Sequence, residues 1–157
     1  MPRQDEGLPS DPSEKGSQAD RPDAAGHHRG AMSYQRFFIG CRLPGMNEIV
    51  KASKSRNGNW SGYSDMKALF ESMIRVDIKK AKLKPCPCRV KIGLHWIEPN
   101  AKRDYGNIRA GEKFISDALV SMKILKTDAR SQVVGFADTF SVDKENPGCW
   151  VTLEDVP

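Results

Sequence analysis

Beyond residue 31 the chain switches between two hydrophobic periods. Phe37, Phe38 and Ile39 form a short apolar run that ends at Leu43, Pro44 and Gly45, so a first strand closed by a turn is predicted there. Residues 47 to 63 are polar and read as a loop, with Lys51, Lys54 and Arg56 beside Asn57, Gly58, Asn59, Trp60 and Gly62. Ser64 then offers a helix N-cap, and Met66, Leu69, Phe70, Met73, Ile74, Ile78 and Ala81 recur every three or four residues until Pro85. That is the spacing of a helix with one apolar face. Cys88, Val90, Ile92, Leu94 and Trp96 alternate with Arg89, Lys91, Gly93, His95 and Ile97, the period of a half-buried strand.

After Pro99 a charged turn leads into a second helix ending near Leu125. Ile108, Ile115, Leu119 and Met122 make its buried stripe, and Gly111 and Ala118 let it pack closely. Residues 132 to 142 alternate loosely as a strand, 144 to 148 supply turn residues, and 149 to 153 supply a partner strand. This predicts an antiparallel hairpin. The order strand, helix, strand, helix, hairpin implies an α+β domain in which two helices cover one face of a largely antiparallel sheet.

Composition separates this domain, residues 32 to 157, from what precedes it. Residues 1 to 31 hold Pro2, Pro9, Pro12 and Pro22, several Ser and Gly, and no aromatic side chain. Such a stretch buries too little apolar area to offset the entropy of ordering it, so a disordered tail is expected. It lacks the apolar run of a secretory signal. The whole chain carries +5, from 25 basic and 20 acidic residues. The tail takes 4 basic and 6 acidic residues, which leaves 21 against 14 in the domain, a net +7. A positive domain attracts polyanions, nucleic acid above all, although lysine-rich surfaces also serve solubility. No apolar run reaches the roughly 18 residues of a membrane span, so no membrane partner is expected.

Cys41, Cys86, Cys88 and Cys149 are scattered, and reduced thiols in a cytoplasm are the expectation. Cys86 and Cys88 with His95 form an alternative zinc set, irregular because structural sites space paired cysteines by at least two residues.

Two acids have positions suited to metal-dependent phosphodiester cleavage: Asp104 before the second helix and Asp128 after it. Carboxylates there could hold Mg²⁺, which activates water and offsets charge on phosphate oxygens. Asp104 equally suits the positive end of a helix, and Asp128 a turn. Lys113 and Asp117 are four apart, so their side chains can meet. A helix of about 16 residues is ~24 Å long, and the stretch from Met122 to Asp128 reaches back ~20 Å when extended, so Asp128 can return toward the helix start.

The segments LPGMNE at 43 to 48, KRDYGNI at 102 to 108, GEKFISDAL at 111 to 119 and TDARSQVVGF at 127 to 136 together resemble the phage- or prophage-type RusA-like Holliday-junction endonucleases. The resemblance runs from about Phe38 to Leu153, in the family's order. It implies a homodimeric, Mg²⁺-dependent endodeoxyribonuclease that resolves four-way DNA junctions in recombination and repair. It also implies roles: Asp104 and Asp128 as catalytic metal ligands, Lys113 as the active-site lysine, Asn107 as the asparagine opening the helix, and Asp117 as a further acid of that helix. Lys51, Lys54, Arg56 and Arg103 would then position the DNA backbone, with Trp60 free to stack on a base. Gly106 departs from the pattern, which has a second aspartate there. One acidic ligand is therefore missing, and the alternative expectation is a branched-DNA-binding protein with weak cleavage or none.

Overall fold

Four strands and four helices build one α+β layer pair in the computed structural model, which describes residues 33–57 and 60–157 and gives only the backbone of 56, 57, 60 and 61. The expected disordered tail, residues 1 to 31, lies outside the described residues. The strands of the main sheet are β1 (Tyr34–Ile39), β4 (Arg89–Glu98), β5 (Val133–Val142) and β6 (Gly148–Val156). Strands β2 (Arg56–Asn57) and β3 (Trp60–Ser61) form a separate two-stranded ladder. The helices are α1 (Met46–Lys54), α2 (Gly62–Lys80), α3 (Tyr105–Arg109) and α4 (Glu112–Ser121).

The period-2 pattern of β4 decides the layering. Val90, Ile92, Leu94 and Trp96 are buried on one face, while Arg89, Lys91, Gly93, His95 and Ile97 occupy the other. The helices bring their own stripes to the first face, Ile74 and Ile78 from α2 and Phe114, Ile115, Ala118 and Leu119 from α4. Phe37 and Ile39 of β1 and Val151 and Leu153 of β6 complete this core. Fully burying each of the Val, Leu, Ile and Phe side chains among these stabilises the fold by about 1.5–3 kcal/mol relative to exposure.

The predicted class holds: three of the four strands, in the order β1-β6-β4, pair antiparallel. The predicted hairpin does not form. β4 lies between β5 and β6 and pairs parallel with β5, Leu94 opposite Asp138 and Trp96 opposite Phe140. The physical reason is the length and apolarity of β4, which needs a neighbour on each side to satisfy its backbone and cover its core face. The connection between β5 and β6 steps over the end of β4, where the Asp143 N–H donates to the Glu98 carbonyl at 2.9 Å. Helices α3 and α4 thereby become the crossover of a strand–helix–strand unit.

Two further segments differ from expectation. Residues 47 to 54 of the predicted polar loop belong to α1, whose Glu48 carboxylate accepts from the Gly45 N–H at 2.6 Å and whose last turn carries Lys51 and Lys54. The predicted second helix is broken at Ala110 and Gly111 into α3 and α4. At Gly111 an added Cβ would press on Leu43 Cβ at 3.0 Å and on the Trp96 ring at 3.4 Å, so the break lets the chain pass close to the core.

Candidate active site

Asp104 stands at the start of α3 in extended backbone, with φ −73° and ψ 161°, and one carboxylate oxygen accepts from the Asn107 N–H at 2.8 Å. It is an N-cap, as its place before a helix suggests. Asn107 passes the connection on, because its side-chain oxygen accepts from the Asn47 N–H at 3.1 Å and so ties α3 to the first turn of α1. Gly45 permits this approach: a Cβ there would collide with Asn107 and with the Arg103 guanidinium. Asp104 also borders a cleft of about 340 Å³, walled by Tyr105, Ile108, Phe140 and Val142.

Lys113 belongs to the first turn of α4, and Asp128 returns to it. The Lys113 ammonium donates to Asp128 Oδ2 at 2.7 Å and pairs with Asp117 Oδ1 at 2.8 Å. The return is fixed by Gln132, which is buried. Its side-chain oxygen accepts from the N–H groups of Lys126 and Thr127, and its amide donates to the Cys86 carbonyl. Asp117 in turn pairs with Lys67 of α2 at 2.9 Å. A chain of alternating charge thus runs from α2 through α4 to the loop before β5.

These pairings set the protonation states. The hydrogen bonds that Lys113 donates to Asp117 and Asp128 raise it above the ordinary lysine value, so it stays cationic. Burial alone would raise the Asp117 carboxyl, but hydrogen bonds and charge from Lys113 and Lys67 outweigh it and hold Asp117 below the usual range. A lowered carboxyl contributes stability that is complete above its unfolded value near 4 and lost as pH falls through the lower folded value. Asp117→Asn should therefore cost about 1 kcal/mol at pH 7, the modest size reflecting the exposure of Lys113. It should cost less at pH 2.5, below the unfolded value, and urea melts at the two pH values measure the difference.

The structure brings Lys113, Asp117 and Asp128 into direct contact, and separately joins Asp104 to Asn107. Among the described residues no group of three or more His, Cys, Asp or Glu side chains is gathered where it could hold a metal. The two carboxylates that the Mg²⁺ expectation names, Asp104 and Asp128, each belong to a different set of contacts, the first with Asn107 and the second with Lys113. Each carboxylate has one oxygen outside the bonds just described. Gly106 leaves the expected third position empty of donors, and the first atom a Cβ there would meet is Asp104 Oδ1 at 3.4 Å.

The zinc alternative is not assembled. Cys86 is buried under the Gln35 amide, Cys88 is exposed, and His95 lies along β4 with its ring nitrogens on Thr139 Oγ1 and Ser141 Oγ, at 2.7 and 2.9 Å. Seven residues of mostly extended chain separate Cys88 from His95 by roughly 20 Å. All four cysteines are free.

Lys51 and Lys54 are exposed on α1, available to a polyanion. The side chains of Arg56 and Trp60 lie outside the described residues. Arg103 turns inward: it forms a two-pronged pair with Glu98 at 2.7 and 3.0 Å, pairs with Glu48 at 3.0 Å, and donates to the Leu43 carbonyl. Its place next to Asp104 therefore anchors that residue against β4 and α1, rather than offering a guanidinium to DNA. Arg42 joins the same cluster through Glu48 and Glu98. This network was missed in the sequence, where Glu98 extends the buried phase of β4 and its burial required a cationic partner.

No protein-family model matches the chain, and no curated protein matches it. Among the described residues no helix is long and apolar enough to cross a membrane.

Proposed function

We propose that this chain is a Mg²⁺-dependent, structure-specific endodeoxyribonuclease of the RusA-like type, acting as a cytoplasmic homodimer on four-way DNA junctions. The observation that carries the reading is the return of Asp128 across 15 residues to Lys113, at the end of α4 nearest the Asp104-capped helix. An acid and a lysine separated in sequence are thereby set beside each other, in the segments whose sequence resembles that family. Asp104 and Asp128 would hold the metal, which supplies an activated water and offsets phosphate charge. Lys113, kept protonated by its neighbours, provides the ammonium that balances charge on the phosphate. Asp117 and Lys67 fix its position, and Lys51 and Lys54 hold the backbone of the DNA.

A second reading is favoured by Gly106. With no side chain beside Asp104, the protein would bind branched DNA and cut slowly or not at all. Nicking of a synthetic four-way junction, with Mg²⁺ and with chelator, separates the two. For the nuclease reading, Asp104→Asn and Asp128→Asn should each lower the Mg²⁺-dependent rate at least 100-fold, the scale on which loss of a transition-state charge stabiliser acts. Junction binding should be unchanged or tighter, because each variant removes negative charge near phosphate. Wild-type nicking that persists in chelator would sink this reading.

A further inference from the structure

The helices cover one face of the sheet; the other carries a pattern that junction cleavage does not use. The strand register aligns side chains in rows across this second face. One row is Phe38, Trp150, His95 and Thr139, on β1, β6, β4 and β5 in turn. The next is Arg36, Thr152, Gly93 and Ala137, and beyond it lie Tyr34, Glu154, Lys91 and Gly135. Contacts confirm that the rows share a face. The Phe38 and Trp150 rings stand 5.0 Å apart, the Arg36 guanidinium lies 4.9 Å over the Trp150 ring, and His95 bonds Thr139.

Glycine keeps the surface low at two points. A Cβ on Gly148 would strike the Phe38 ring, and one on Gly93 would strike Thr152. The aromatic groups are only partly covered, Trp150 at 37% exposure beneath the Arg36 guanidinium and Tyr34 at 61%. Strand spacing near 4.8 Å makes the Phe38–Trp150–His95 row roughly 10 Å wide, enough to present a base-sized π surface.

Charge selects the occupant. Among the described residues, Arg36, Arg89 and Lys91 stand on this face, all exposed, against one acid, Glu154. A second copy of the chain laid on it about a two-fold axis would bring these like charges together. A duplex keeps its base faces within its own stack, whereas a single strand can lay bases on rings and phosphates on cations.

We infer that this open sheet face is a stacking platform for single-stranded DNA, with Trp150 and Phe38 taking bases and Arg36, Arg89 and Lys91 taking phosphates. The choice of DNA over RNA rests on the nuclease reading above; the platform itself does not. It would hold a strand splayed from the branch point.

The test is binding of the full chain to a fluorescent 15-nucleotide oligothymidylate. Binding should quench tryptophan emission, and Trp150→Ala should weaken it roughly tenfold and remove most of the quench, with Trp150→Phe restoring much of the affinity. The double variant Arg36→Gln/Lys91→Gln, both on the exposed surface, should flatten the slope of log affinity against log salt by about 1.4. A wild-type protein that binds this strand but does not nick junctions in Mg²⁺ would count against the nuclease reading and leave the platform standing. Wild-type affinity in a folded Trp150→Ala, or an unchanged salt slope in the double variant, would overturn the platform. Sedimentation showing that Trp150→Ala splits a dimer without altering strand binding would instead make this face a subunit seam. Tighter binding of the matching oligouridylate would overturn the assignment to DNA.

Discussion

Replacing Arg103 with alanine should destabilise the protein by about 3 kcal/mol, a loss larger than any surface charge of this domain would produce. The guanidinium is 12% exposed and Glu98 8% exposed, and their two-pronged pair is the main compensation for a buried carboxylate. Removing one partner of a buried pair costs roughly 3–5 kcal/mol because the other charge is stranded. Arg42, 3.5 Å from Glu98, softens the loss toward the lower figure. The double variant Arg103→Ala/Glu98→Gln should recover a good part of it, since the stranded charge is gone. Urea unfolding of the two single variants and the double gives the coupling directly. If Arg103→Ala unfolds at wild-type urea concentration and loses only junction affinity, then Arg103 faces the DNA, and the inward cluster with Glu98 and Glu48 does not exist in solution.

The same residue shows where the sequence could be read and where it could not. Periodicity located the long apolar helix, the half-buried strand and the buried stripe of α4, because each buries one face and its spacing records that face. It also put Lys113 and Asp117 within reach of each other. Strand pairing was not recoverable in this way. A loop from 143 to 147 suits a hairpin as well as a step over β4, and nothing local records that β4 takes both neighbours. α1 was lost for a related reason. It is short, its charges hide a single inward side chain, Ile49, and its start is fixed by Glu48, Gly45 and Asn107, the last a distant residue. Arg103 was assigned by its charge alone, whereas the decisive fact was the phase of Glu98 on a strand whose other in-phase residues are apolar. Asp128 was the more favourable case, because chain length permitted its return to the helix start and Gln132 holds it there.

Restoring the missing acid should have the largest effect on activity: Gly106→Asp should raise Mg²⁺-dependent junction cleavage at least tenfold. The backbone permits the change, since Gly106 shows no left-handed φ that a side chain would strain. Space permits it as well, because the Cβ would meet only Asp104 Oδ1, at ordinary contact distance of 3.4 Å. Position 106 falls in the first turn of α3, where an acid interacts favourably with the helix dipole and where replacing glycine itself gains some stability. The cost is repulsion between carboxylates two residues apart, about 1 kcal/mol at 4 Å in water. A divalent cation bound between them would reverse that cost. The melting temperature of Gly106→Asp should therefore rise with Mg²⁺ more steeply than that of the wild type, while Gly106→Ala, with the backbone change but no charge, should follow the wild type. Combining Gly106→Asp with Asp104→Asn should cancel both the thermal response and the gain in cleavage, because the new acid acts through its neighbour. If Gly106→Asp melts independently of Mg²⁺ and cuts no faster than Gly106→Ala, then Asp104 does not face a metal, and the Lys113–Asp128 pair must be completed by other groups.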